Sequence, residues 1–131
     1  MLRAGSVAEI DALFSGPAPA EIDKLLISAD PFFAGNRGLL VRALNHRRMP
    51  AIFQRTEFAS DDGLISYGPS FAEAYREAGV YAGRILRGEK PAELPILQPS
   101  TFELAINLKT AKALGIVVPP TLLARADEVF E

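Results

Sequence analysis

The carboxylates that could act as acids, bases or ligands are Asp30, Glu57, Asp61 and Asp62, and each follows a short apolar run. Arg55 and Thr56 stand next to Glu57, Phe32 and Phe33 follow Asp30, and Ser66 and Tyr67 close a third apolar run. Together these residues offer charge, hydrogen bonds and aromatic surface, the means of holding a small organic molecule. Asp30 and Glu57 working as acid and base would be the enzymatic alternative, and no activated nucleophile accompanies them. His46 is the only histidine, and the arginines after it disfavour its charged form. No Gly-x-Ser-x-Gly elbow and no glycine-rich phosphate loop occurs. Without cysteine there is no thiolate, disulfide or Cys-based metal site, so no cofactor is expected.

Elements must carry these residues to one place. Ser6-Val7-Ala8-Glu9 is a capping box, opening a helix that should reach Phe14 with Val7, Ile10, Leu13 and Phe14 on one face and stop at Ser15-Gly16-Pro17. Residues 24–28 read as a buried strand closed by Asp30-Pro31, residues 36–47 as a helix, and residues 50–54 as a second strand. A short crossover helix between two strands predicts that they are parallel neighbours. Residues 64–67 form a further strand, after which Ser70-Phe71-Ala72-Glu73 caps a long helix ending at Arg87-Gly88. Along residues 102–107, Phe102, Leu104 and Ile106 alternate with Glu103, Ala105 and Asn107, which predicts an apolar and a more polar face. A short helix over 109–114 closed by Gly115, and a turn or helix after Pro119-Pro120, complete the chain.

The composition is that of a globular protein: 131 residues, 14 Lys+Arg against 16 Asp+Glu, and 49% hydrophobic residues. That charge balance gives no electrostatic footprint for nucleic acid. The longest apolar runs are a few residues, where a membrane span needs about 20, and no apolar signal segment opens the chain.

Further along, Tyr67-Gly68-Pro69, Ala74-Tyr75-Arg76 and Tyr81-Ala82-Gly83-Arg84-Ile85-Leu86-Arg87-Gly88-Glu89-Lys90-Pro91 occur in turn. They lead to Gln98-Pro99-Ser100-Thr101-Phe102-Glu103-Leu104-Ala105-Ile106-Asn107-Leu108-Lys109 and to Pro119-Pro120-Thr121-Leu122-Leu123-Ala124-Arg125-Ala126-Asp127. With these segments the chain closely resembles the C-terminal part of the ABC-transporter substrate-binding protein family. Ala29-Asp30-Pro31-Phe32-Phe33 and Met49-Pro50-Ala51-Ile52-Phe53 match the same family more loosely.

The resemblance implies an α/β fold, a three-layer parallel-sheet lobe of a type I periplasmic-binding-protein-like architecture, truncated at its N-terminus. Residues 1–131 would be the second lobe, and residues 64–107 would cross to a missing first lobe and return. It further implies an amino-acid-like solute clamped between lobes, an ABC permease as partner, no catalysis, and a periplasmic or membrane-anchored extracytoplasmic location. Without a signal peptide, a chain beginning at Met1 would be cytoplasmic. A stand-alone assembly module without solute binding is the alternative function.

Strand-end loops and family agree on where a cleft should lie: Asp30, Phe32, Phe33, Arg55, Glu57, Ser66 and Tyr67 are the expected solute contacts. The long helix carries Phe71, Tyr75, Ala78, Ala82, Ile85 and Leu86 on one stripe. Left without a lobe to cover it, that stripe predicts a homodimer.

Overall fold

Leu25 and Leu26 pair in parallel with Ala51 and Ile52, and Ile52 and Phe53 pair in parallel with Ile65 and Ser66. The crossover argument therefore holds, in a computed structural model that describes residues 1–16 and 22–131. Pro17, part of the expected helix stop, lies outside the described residues. Among the described residues the five strands are β1 (Leu25–Leu26), β2 (Ala51–Phe53), β3 (Ile65–Pro69), β4 (Phe102–Asn107) and β5 (Glu128–Phe130), in that spatial order.

The sheet is mostly parallel, as expected, with one antiparallel pair. β4 runs antiparallel to β3, with Ile65 opposite Ile106 and Pro69 opposite Phe102, while β5 is parallel to β4. The chain leaves the sheet through β3 and comes back through β4, so the two must point in opposite directions.

The helices are α1 (Val7–Ser15), α2 (Pro31–Gly35), α3 (Arg37–His46), α4 (Thr56–Ser60), α5 (Phe71–Leu86), α6 (Leu108–Leu114) and α7 (Pro120–Leu123). Ser6 caps α1 as expected, its hydroxyl accepting from Glu9 N at 3.2 Å; Glu9 reaches back to the Gly5 amide at 2.6 Å. Ser70 caps α5 by accepting from Glu73 N, but the amide of Ser70 donates to the Thr101 carbonyl at 2.9 Å, so the reciprocal half of that box is replaced by a link to the returning chain. α6 opens on Asn107, whose Oδ1 accepts from Thr110 N at 2.8 Å, and closes on Gly115 in the left-handed region, φ 75°. A Cβ is costly there, which is why glycine ends this helix.

The core joins α1, α3 and α4 to one face of the sheet: Ile10, Leu40, Val41, Leu44 and Phe58 surround Ala51 and Phe53. Val7, expected on the inner face of α1, is exposed, because Ile10 alone of that helix is fully buried. The two-faced pattern expected across β4 gives way to a gradient in burial along the strand, which ends with Ile106 as deeply buried as its neighbours. Ala105 and Asn107 are buried, whereas Phe102 is 47% exposed. Asn107 can be buried because its amide donates to the Ala59 carbonyl at 2.9 Å while its oxygen caps α6, so both ends are satisfied. The opposite sheet face is partly open, with Leu26 70% exposed and Tyr67 and Val129 exposed as well.

Candidate functional site

β4 runs against β3, so its first residues, Phe102 and Glu103, arrive at the edge where β1, β2 and β3 end. At that edge of an open α/β sheet, backbone groups and loop side chains stand free for a ligand. β2 and β3 come unusually close there: a Cβ on Gly68 would lie 2.9 Å from the Gln54 carbonyl carbon.

The expected loop at 55–58 is a helix start. Arg55 is the N-cap of α4, and Phe58 and Ala59 fix the helix by burial. Five residues complete too little of the helical period to be read from apolar spacing. The Arg55 guanidinium donates to Glu57 through Nη2 to Oε1 at 2.8 Å and Nε to Oε2 at 3.3 Å. Its Cζ lies over the ring of Phe71, the first residue of α5, 4.2 Å from the centroid. Thr56 donates from Oγ1 to Glu103 Oε2 at 3.3 Å. The first turn of α4 thus ties together β2, β4 and α5.

The hydrogen bond from Arg55 holds the Glu57 carboxyl below the usual carboxylate range, with burial opposing and nearby Arg37 assisting. Glu57 in turn raises the Arg55 pKa through the same bond, and Tyr75, one turn into α5, adds to it. Titration of Glu57 followed by NMR is therefore expected to give a midpoint below that of an ordinary glutamate, with Arg55→Gln restoring it. Because the folded pKa is depressed, the stabilisation from the pair is present above the unfolded pKa and is lost as pH falls through the folded one. Partial exposure on both sides keeps it small. A midpoint at or above the ordinary value would contradict the pairing.

The other expected contacts are placed differently. Asp30 was expected in a loop; instead its Oδ1 accepts from Phe32 N at 2.8 Å and caps α2, which Pro31 starts. Phe32 and Phe33 are half-buried against the core, their ring centroids 5.6 Å apart. Ser66 is 1% exposed and its Oγ has no hydrogen-bond partner. It shares the core face with Phe53, to which it is registered, whereas Tyr67 points to the open face and stacks on Phe102 at 5.7 Å between centroids. Alternation along β3 separates these two neighbours. The fold therefore joins Arg55 to Glu57 and sets Ser66 and Tyr67 on opposite faces.

Thr56 and Gly68 lie in segments the sequence already places near this edge, whereas Glu103 and Phe102 escape that reading. Their only signal was the register of β4 on β3, unreadable before the pairing is known. Asp61 and Asp62 belong elsewhere: Asp61 pairs with Arg37 at 2.5 Å and Asp62 with Lys109 at 3.0 Å. The Asp62 carbonyl accepts from Asn45 Nδ2 and Thr110 Oγ1, both at 2.9 Å, which clasps α3 and α6 to the turn that follows α4. Among the described residues no group of three His, Cys, Asp or Glu could hold a metal ion.

Residues 4–130 match the family described as ABC transporter substrate binding protein. The chain belongs to this family. An uncharacterized protein of Rickettsia prowazekii (strain Madrid E) is 30% identical over 99 residues, covering 71% of this chain and 31% of that protein. A conserved domain protein from Vibrio cholerae O1 biovar El Tor superposes with a TM-score of 0.81 at 23% identity, over 93% of this chain and 40% of the other. The ABC domain in complex with L-Trp from Streptococcus pneumonia gives 0.79 at 24% identity, over 94% and 41%. The chain thus spans about two fifths of these solved chains, and the likeness establishes the mostly parallel α/β fold. The family is non-catalytic, which removes the acid-base reading of Asp30 and Glu57. It is typically extracytoplasmic, and no helix among the described residues is long and apolar enough to cross a membrane.

Proposed function

We propose that this substrate-binding family member forms one wall of a site for a small, amino-acid-like solute, and hands that solute to an ABC permease outside the cytoplasm. The observation that carries this reading is the cluster of Arg55, Glu57, Thr56 and Glu103 at the carboxyl edge of the sheet. It offers paired charge and hydroxyl groups beside the Phe71 ring, suited to a solute with polar ends and an apolar body. Asp30, Phe32, Phe33 and Tyr67 flank this cluster as further contacts, with Ser66 behind them. Residues 1–131 act as the second lobe, with residues 64–107 reaching toward a first lobe that supplies the opposite wall.

A thermal-shift screen of the amino acids, L-tryptophan included, tests the reading. A solute at a hundredfold over its Kd is expected to stabilise the native state by about 2.7 kcal/mol. Glu57→Ala and Asp30→Ala should each weaken the solute found, measured by calorimetry because loss of the Asp30 cap by itself costs about 1 kcal/mol of stability. No stabilising solute would overturn the reading; unchanged affinity in both variants would reject these two contacts.

A second reading, assembly, rests on α5. None of its residues is buried, Tyr75 is 73% and Leu86 87% exposed, and Ile85, Ala78 and Ala82 continue the stripe from Phe71. A homodimer burying this stripe would remove it from water. Sedimentation at micromolar concentration should then give twice 14.1 kDa, with Tyr75→Lys and Ile85→Lys together restoring the monomer. A monomeric parent would exclude the dimer.

A further inference from the structure

α5 and the chain that returns from it stand off the sheet like an outrigger. Their covalent attachment is the two-stranded ribbon of β3 and β4, which extends by the Ser70 to Thr101 hydrogen bond. A ribbon of two strands twists readily, and α5 contributes no buried residue that would fix its direction. Two side-chain contacts from the first turn of α4 reach this neck, and Asp127 adds one on the ribbon by accepting from the Leu104 amide at 2.8 Å. Thr56 bonds Glu103 on the ribbon itself, whereas Arg55 lies on the Phe71 ring and thus grips α5 at its first residue.

Glu57 decides how the Arg55 plane is turned. Its two oxygens meet Nη2 and Nε, which occupies the edge of the guanidinium and leaves the flat face for Phe71. A guanidinium can accept a carboxylate along its edge and an aromatic ring on its face at once. We propose that Arg55 is a positioning residue that latches α5 to the sheet, with Glu57 orienting the guanidinium and Phe71 as the catch. Any group that competes for Arg55 or Glu57 at this edge therefore also loosens the direction of α5. The latch itself does not depend on which solute, if any, occupies the edge.

The chain has no cysteine, so paired spin labels can be placed without background. Labels at Arg42→Cys on α3 and Glu77→Cys on α5, both exposed positions, report the angle of α5 to the sheet by pulsed dipolar spectroscopy. In the otherwise unchanged protein one distance should dominate. In Arg55→Gln, the ratio of that peak to the remaining distances is expected to fall roughly fivefold, the scale of losing one partly exposed cation-aromatic contact. Phe71→Leu should broaden the distribution in the same way, and Phe71→Tyr, which keeps the ring, should leave it narrow. Circular dichroism separates loosening from unfolding, and is expected to show the sheet intact in every variant. A distribution unchanged in both Arg55→Gln and Phe71→Leu, or one broadened equally by Phe71→Tyr and Phe71→Leu, would overturn the latch.

Discussion

Gly68→Ala is expected to destabilise the protein by about 3 kcal/mol or more, the upper end of what overpacking costs. The added Cβ would sit 2.9 Å from the Gln54 carbonyl carbon and 3.2 Å from its Cα, with the carbonyl oxygen closer still. All three obstacles are backbone, so no side chain can turn aside. β3 cannot shift without disturbing its pairing, because it is registered with β2 on one side and through five residues with β4 on the other. Relief must come from parting β2 and β3 at their carboxyl ends, which also displaces Arg55. Gly35→Ala provides the contrast: nothing lies within 4 Å of its Cβ and its backbone needs no positive φ, so it should be neutral or stabilising by up to about 1 kcal/mol. Urea unfolding of the two variants against the parent checks both, and a Gly68→Ala protein as stable as the parent would refute the close approach.

Phe53→Ala is expected to cost about 3–5 kcal/mol, a large share of the roughly 5–15 kcal/mol that hold a domain folded. Phe53 is almost fully buried, and its ring stacks on Phe58 at 4.5 Å between centroids, nearly parallel at 12°. The pair links β2 to α4 within the cluster formed by Ile10, Leu40, Val41 and Leu44. Truncation leaves a cavity that these neighbours fill only in part. The site should suffer beyond the loss of stability, since Phe53 and Phe58 bracket the turn that presents Arg55 and Glu57. Phe53→Leu should recover part of the loss in urea unfolding. An alanine variant that costs less than about 1 kcal/mol would mean that this ring does not anchor the core.

Long and well-punctuated segments were legible from the chain. The apolar period and terminal residues of α3 and α5, the Gly115 stop of α6, and the parallel pairing of β1 with β2 all follow from local rules that need no tertiary knowledge. The family resemblance was equally readable, because its motifs lie contiguous along the last third of the chain. α2 and α4 were not, since five residues cannot display a helical period, and β5 was missed because a strand of three residues shows no clear alternation. For β4 the alternation was visible but its orientation was not. Asn107 looked like an outward polar residue and is inward, where Ala59 and Thr110 satisfy its amide.

The amino-acid sequence by itself determined the class of fold, the order of its main elements, the family and the neighbourhood of Arg55 and Glu57, because these depend on local periodicity, caps and contiguous motifs. Tertiary structure alone decided that Glu103 and Phe102 come to the same edge as Gly68, that Ser66 and Tyr67 part to opposite faces, and that Arg55 lies on Phe71. Those outcomes depend on register between strands distant in the chain, and which groups then meet is set by pairing and packing rather than by any residue's own preference.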